Sequence, residues 1–295
     1  MTTLAAWIDS ASTQFAAAGI LDGRVDAELL AAHVLNAARG QVQADLIVGR
    51  KLTDEQLAQL DALARRRAQR EPLQHLTGLA PFRQMELAVG PGVFVPRPET
   101  ELVVQFAIDA LHAVPSATPR AVDLGTGSGA IALAMATEAP TAQVWAVEKS
   151  SEARVWTERN IARYGDGRVE LVAGDMADCL PELTDSVDVV ISNPPYIPAA
   201  AIPRDPEVAN YDPPLALYGG EDGLDLVRAL SHTALRLLRS GGLLVIEHGE
   251  LQAAAIADIL RADGWRAIAH HTDLTHRDRS TTAVRPAHGE SANLG

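Results

Sequence analysis

The stretch AVDLGTGSGAIAL, residues 121–133, limits what this chain can fold into more than any other. Ala121-Val122-Asp123-Leu124 is a short strand, apolar but for one acid. Gly125, Gly127 and Gly129 then let the backbone turn tightly and come close to a ligand. From Gly129 to Glu138 the residues predict a helix. The pattern repeats downstream. Strands are expected at Gln143–Val147, Val169–Val172 and Val187–Ile191, with a helix at Ser151–Tyr164. A helix from Asp222 to Leu238 leads through Gly241-Gly242 to a strand at Leu243–Ile246. Another helix, the stretch Trp265–His270 and a last strand near Thr281–Val284 follow. Such alternation implies an α/β fold with a mostly parallel sheet, covered on both faces.

The first part of the chain has a different character. Residues 1–73 are expected to be all-helical, a small bundle for docking or packing. Asp26–Ala38 is rich in Ala and Leu, and Thr53-Asp54-Glu55-Gln56 is a capping box before Leu57, Leu60 and Leu63 at helical spacing. Residues 74–98 alternate and carry Gly-Pro-Gly punctuation, so they are expected to form a β-hairpin linker. Pro96-Arg97-Pro98 leads into a helix near Glu99. The catalytic domain is then expected over 99–286 and a flexible tail over 287–295.

At 295 residues the chain has room for two domains. No apolar run is long enough to span a bilayer, and MTTLAAWIDS lacks the basic start of a secretory signal. A single cysteine, Cys179, fits a reducing compartment. A cytoplasmic protein is expected. The net charge of −13 is uneven: residues 1–75 hold eight Lys/Arg against nine Asp/Glu, so the surplus of acid lies almost wholly beyond them. An acidic domain repels a phosphate backbone, which weighs against a duplex-DNA enzyme. Arg65-Arg66-Arg67 and Arg70 form the one basic cluster. It is expected on the exposed face of a helix end, or as a patch that meets an acidic or RNA-bearing partner.

The glycine turn alone fits nicotinamide, flavin and S-adenosylmethionine (SAM) sites. Glu148 ends the second strand, 19 residues past Gly129, where a carboxylate can accept from both ribose hydroxyls. Asp123 is unexpected for a dinucleotide fold but suits a ligand with a cationic amino-acid end. Asp175 can accept from an adenine amino group, and Met176 can pack on the ring. Together these residues favour SAM over NAD. The expected cofactor site is Asp123, Gly125, Thr126, Gly127, Ser128, Gly129, Glu148, Asp175, Met176 and Asn193. No metal is expected.

The fourth strand stops at VISNPPYIP, since two prolines cannot donate ladder hydrogen bonds. Ligands of doubly wound sheets bind at the carboxyl ends of strands, which places Asn193-Pro194-Pro195-Tyr196 beside the cofactor. A planar amide or amino nitrogen is a poor nucleophile because its lone pair is delocalised. The Asn193 side-chain oxygen and the Pro194 carbonyl can accept its two N–H bonds, and Tyr196 can stack on the planar group. Pro194 and Pro195 fix the corner, so alignment costs little entropy.

DLGTGSGAIAL and NPPYIP, with PRPETE and YDPPLALYGGEDGLD, resemble the bacterial release factor glutamine N5-methyltransferases (the PrmC, or HemK, family) over nearly the whole chain. NPPY is shared with amino-methylating DNA and RNA enzymes; the combination with PRPETE and GGEDGLD is more specific. The resemblance implies a class I SAM-dependent methyltransferase fold with a seven-stranded sheet and a helical domain that grips the substrate. It implies methylation of the glutamine in the Gly-Gly-Gln motif of class I peptide chain release factors. By motif, Gly125–Gly129 and Glu148 hold SAM, and Asn193–Tyr196 hold the glutamine amide. Glu148 stands where Asp is common, and Met176 where a relative can carry an aromatic.

An amino-methyltransferase of adenine in nucleic acid is the main alternative; a nicotinamide oxidoreductase and a silent binding module are the others. His248 is expected to be structural, although it could face the cleft, and Cys179 is expected as an apolar filler. Adjacent His270 and His271 near Asp273 point to opposite faces of a strand, which argues against a metal. Arg97 can approach the cofactor or substrate.

Overall fold

In the computed structural model residues 2–287 are described. The expected tail lies, beyond residue 287, outside the described residues. Contacts divide the chain into two units: residues up to Leu79 with Pro203–Tyr211, and Ala80–Ile202 with the residues from Asp212 onward.

The first unit is helical because its apolar residues recur at helical spacing. Helix α1 (Leu4–Ala17) buries Leu4, Trp7, Ile8, Ala11 and Phe15. Helix α2 spans Gly23–Leu35 and ends at Asn36 in the left-handed conformation. Helices α3 (Arg39–Ile47), α4 (Asp54–Ala68) and α5 (Leu73–Thr77) follow. The capping box at α4 forms with both bonds, Thr53 Oγ1 accepting from Gln56 N and Gln56 Oε1 from Thr53 N.

The arginine cluster on α4 differs from expectation. Arg67 follows Leu60 and Ala64 at helical spacing and turns inward with them. Its Nε donates to Asp26 Oδ2 at 2.7 Å and its Nη1 to Glu207 Oε1 at 2.9 Å. Arg70 Nη2 donates to Glu207 Oε2 at 2.6 Å, and Arg66 pairs with Glu71. Three of the four cations are thus spent inside the unit and do not form an open basic patch.

Residues 79–88 form the hairpin, β1 (Leu79–Phe82) and β2 (Met85–Ala88). The second unit continues with α6 (Pro98–Ala113), β3 (Arg120–Leu124), α7 (Ala130–Glu138), β4 (Gln143–Glu148), α8 (Ser151–Tyr164), β5 (Val169–Ala173) and β6 (Val187–Ser192). The Pro206–Tyr211 helix is α9 in chain order; α10 (Asp225–Leu237), β7 (Leu238–Glu247), α11 (Ala253–Ala262), β8 (Arg266–Thr272) and β9 (Asp278–Val284) follow among the described residues. The seven-stranded sheet has the order β5-β4-β3-β6-β7-β9-β8, with only the β9 pairings antiparallel. This is the class I SAM-dependent methyltransferase fold.

Alternate residues of the central strands face opposite helix layers, as a period of two requires. Ala121, Val189, Ile191 and Val245 pack with α6 and α7, whereas Val122, Val190, Leu244 and Ile246 pack with α10 and α11. The Gly241-Gly242 break expected before a short strand is instead an irregularity within β7: Val187 pairs with Leu238, but Val189 pairs with Leu243.

Register positions the site. Asp123 pairs with Ile191 across β3 and β6, and Ser192 pairs with Ile246 across β6 and β7. The carboxyl ends of these strands are therefore level, and β3 and β6 flank the point where the strand order reverses, the usual ligand crevice. Among the described residues no helix is long and apolar enough to cross a membrane.

Arg67→Ala leaves Asp26 and Glu207 without their shared guanidinium at a buried position. The unfolding free energy should fall by about 3 kcal/mol in equilibrium urea denaturation. A loss under about 1 kcal/mol, the range of exposed pairs, contradicts the buried assignment.

Candidate active site

The glycine turn is pinned from both sides. Gly125 N and Thr126 N both donate to Val147 O, at 2.9 and 3.0 Å, and Thr157 Oγ1 donates to Gly127 O at 2.6 Å. Gly127 has φ +57° and nothing within 4 Å of where a Cβ would stand, so its backbone is open to a ligand. Thr126 and Ser128 are buried; the Thr126 hydroxyl is given to Asp123 Oδ2 at 2.6 Å.

Asp123 is fully buried. Its Oδ2 also accepts from Ala132 N in the first turn of α7, at 3.1 Å, while its Oδ1 has no partner within the protein. Burial pushes this carboxyl up to about 7. A buried acceptor without a donor costs free energy, so this atom points to an external donor such as an ammonium. Glu148 Oε2 accepts from Gly127 N at 2.9 Å and Oε1 from Ser150 N at 2.7 Å. It holds the turn and keeps lone pairs for hydroxyls. Asp175 is paired with Lys149 Nζ at 2.8 Å, which holds its carboxyl below the usual range. The Met176 methyl lies beside Gly125. These groups fit SAM: an orphaned buried acid, an open glycine backbone and a carboxylate at the end of β4.

The Asn193–Tyr196 corner is gripped by the loop around Gly219–Gly223. Ile197 N donates to Leu217 O at 2.9 Å and Gly219 N to Ile197 O at 3.0 Å. Gly223 sits at φ +78°, and a Cβ there would lie 2.3 Å from Tyr196 O. Only glycine permits that approach. Gln252 Nε2 donates to Tyr196 O at 2.9 Å. Burial pushes the Tyr196 hydroxyl up to about 12, so it stays neutral at physiological pH.

Three neighbours of this corner, Thr100, Glu247 and Arg279, went unassigned by sequence reasoning; Arg97, expected to approach the cofactor or substrate, is a fourth neighbour. Thr100, in PRPETE, is buried, and its Oγ1 accepts from Asn193 Nδ2 at 3.4 Å. Glu247 ends β7 and is buried; burial raises its carboxyl, and the Thr100 and Asn193 side chains beside it oppose that rise. Arg279 of β9 bonds Asp273 and faces Tyr196 and Glu247 electrostatically. Arg97 Nη2 donates to Asp212 Oδ2 at 2.8 Å, with its guanidinium 4.9 Å from the Phe94 ring centroid. Asp212 is pushed up to about 6 by burial, which the Arg97 charge opposes. Register was the missing signal: Glu247 matters because β7 ends level with β6.

His248 is structural, its ring nitrogens engaged by Gly249 O at 2.9 Å and Thr281 Oγ1 at 2.8 Å. Cys179 is buried in the core layer beneath α10. His270 bonds Thr281, His271 bonds Thr282, and Asp273 pairs with Arg279. Among the described residues no group of three or more His, Cys, Asp or Glu could hold a metal ion.

Comparison with known proteins bears on the family and the fold. The family profile described as PrmC N-terminal domain matches residues 6–78, and the profile described as Methyltransferase small domain matches residues 85–205. A release factor glutamine methyltransferase of Streptomyces coelicolor is 48% identical over 285 residues, 96% of this chain and 98% of the relative. A 4-amino-L-phenylalanine/4-methylamino-L-phenylalanine methyltransferase of Streptomyces pristinaespiralis is 39% identical over 289 residues, 96% of this chain and 95% of the relative. The crystal structure of a methyltransferase from Pyrococcus furiosus shares the fold, with a TM-score of 0.51 and 20% identity over 69% of this chain and 90% of that one.

Asp123 supplies a signed pH test. Its folded value of about 7 lies above the ordinary 3.8, so the fold favours the protonated acid, and stability without ligand falls as pH rises across that window. Asp123→Asn removes this contribution. Between pH 5 and pH 8 the melting temperature of the variant should fall less than that of wild type, by about 3 °C, while SAM affinity drops about tenfold. Equal pH slopes for both proteins contradict the assignment.

Proposed function

The chain belongs to the release factor glutamine methyltransferase family, and on that premise we propose that it transfers a methyl group from SAM to the side-chain amide nitrogen (N5) of the glutamine in the Gly-Gly-Gln motif of class I peptide chain release factors. Such methylation modulates translation termination, and the enzyme works in the cytoplasm. The observation that supports this most is the Asn193–Tyr196 corner, locked at the carboxyl end of β6 and level with the glycine turn after β3.

SAM, when bound, supplies an electrophilic methyl on a cationic sulfur. Asp123, Gly125–Gly129, Glu148, Asp175 and Met176 would hold it, with Asp123 Oδ1 receiving its ammonium. The work of the corner is on the acceptor. The lone pair of an amide nitrogen is delocalised into the carbonyl, so alignment and the electron density left on nitrogen decide the rate. Asn193 Oδ1 and the Pro194 carbonyl accept the two N–H bonds, which fixes the nitrogen and raises its electron density. The Pro194-Pro195 backbone cannot relax during the reaction, because the Gly219–Gly223 loop and Gln252 hold it from behind. The neutral Tyr196 ring packs on the amide plane. Asparagine is not a base, so the nitrogen loses its proton after transfer, when its positive charge makes it acidic. Residues 1–73 dock the release factor.

One specific observation favours a second reading. The relative from Streptomyces pristinaespiralis acts, by its name, on an aromatic amine. Arylamine nitrogen also has a delocalised lone pair and N–H bonds for the same acceptors. Methylation of adenine uses the same chemistry, but the acidic surplus of the second unit opposes a nucleic-acid backbone.

Purified release factor incubated with this protein and SAM should gain one methyl, placed on the Gly-Gly-Gln glutamine by fragmentation mass spectrometry. 4-Aminophenylalanine and an adenine-containing oligonucleotide should gain none; methyl on either of them and not on the release factor moves the assignment. Asn193→Ala should retain SAM affinity within about threefold while kcat falls by about 10²-fold, the scale of a lost transition-state contact. Equal loss of affinity and rate would refute that division of roles.

A further inference from the structure

Glu247 is a buried acid beside the reacting corner that the mechanism above does not use. Because Ser192 pairs with Ile246, Asn193 and Glu247 leave the sheet side by side. Glu247 is 2% exposed, and its Oε2 has no hydrogen-bond partner in the protein. The Thr100 hydroxyl and the Asn193 amide are the polar side chains beside it that favour its ionised form against the burial. The charged and titratable groups facing it are Arg279 from β9, Glu99 from α6 and Tyr196 from the corner itself. A family of apolar side chains would fill this space at less cost, since a buried carboxylate is expensive unless fully paired.

The carboxylate meets a chemical need of Asn193. The two ends of a carboxamide have nearly the same size and opposite polarity. Only one orientation turns an acceptor toward the substrate; the other presents N–H to N–H. A neighbour that is acceptor-only discriminates between them, because it takes Nδ2–H and repels Oδ1. Ionised carboxylate is such a neighbour, and a hydroxyl alone is not, since it both donates and accepts. We propose that Glu247 is a positioning residue for methyl transfer: its carboxylate binds Asn193 Nδ2–H, holds Oδ1 toward the substrate amide, and adds electron density to that oxygen through the amide π system. Thr100, whose Oγ1 accepts from Asn193 Nδ2 at 3.4 Å, lies beside both. The inference rests on the reading of Asn193 as acceptor for the substrate N–H.

Protonation state follows. Burial pushes Glu247 up to about 7, opposed by Thr100 and Arg279. The ionised form orients Asn193, so kcat rises with pH through the neutral range. Tyr196 stays neutral and Arg279 stays cationic across that range, so neither supplies the limb.

The test is steady-state kinetics with whole release factor and SAM from pH 5.5 to 9, for wild type and Glu247→Gln, with SAM affinity and melting temperature measured on both. Wild type should show an acid limb in kcat near pH 7. Glu247→Gln, nearly isosteric but with both donor and acceptor, should lose that limb and about tenfold in kcat, with KM for release factor and Kd for SAM within about threefold. An intact acid limb and wild-type kcat in Glu247→Gln overturn the proposal. A wild-type kcat that is flat from pH 6 to 8 overturns it without recourse to the variant. If wild-type enzyme places no methyl on the glutamine, the proposed function fails and this inference with it; wild-type activity unaffected by Glu247→Gln defeats the inference alone.

Discussion

Everything at the site depends on the register of β6 between β3 and β7. All six residues of β6 are buried, and Ser192 Oγ donates to Leu124 O at 2.5 Å, tying the ends of β3 and β6 together. Side chains alternate with a period of two, so a slip by one residue would send Val189 and Ile191 to the wrong helix layer. The apolar cores on both faces therefore lock the register. That lock in turn places Asp123, Asn193 and Glu247 at one level. The level arrangement of these three residues is a by-product of core packing.

Two acids at this level sit badly with stability. Asp123 and Glu247 are both fully buried, both keep one oxygen without a partner, and both are pushed up to about 7 by burial. A sequence under pressure for stability alone would replace them with residues that bury no charge. Their cost is intelligible if each serves a group absent from the free chain or orients one that touches substrate. On the proposed function, Asp123 is the first case and Glu247 the second. The pairs Arg67–Asp26 and Arg67–Glu207 contrast with these acids, because there the buried charges are matched within the helical unit.

Much of this was legible in the residues. The glycine turn, the helix at Ser151–Tyr164 and the stop at Asn193-Pro194 follow from local chemistry, since glycine, capping and proline act on their own neighbours. Local patterns failed where long-range partners decided the outcome. Nothing near Arg67 announces Glu207, 140 residues away, so its burial was hidden. The Gly241-Gly242 pair carried a loop signature, yet β6 and β9 recruited it into a ten-residue strand. Glu247 escaped notice for the same reason: an acid after an apolar run is ordinary until register sets it beside Asn193. Lys149 was missed because its role exists only through Asp175.

The glycine loop GGEDG explains why so specific a segment lies so far from NPPY in sequence. Its backbone closes on Pro195 O and Tyr196 O at distances that exclude any side chain. It is a rigid back wall to the corner, and alignment of a weak nucleophile needs such a wall more than it needs a base. The most direct measurement is a crystal structure of this protein with S-adenosylhomocysteine and a class I release factor. The glutamine amide nitrogen should lie within hydrogen-bond distance of both Asn193 Oδ1 and the Pro194 carbonyl oxygen, with Tyr196 stacked on the amide plane. A glutamine bound with its nitrogen away from both acceptors, or an Asn193 that turns its nitrogen to the substrate, would contradict the account.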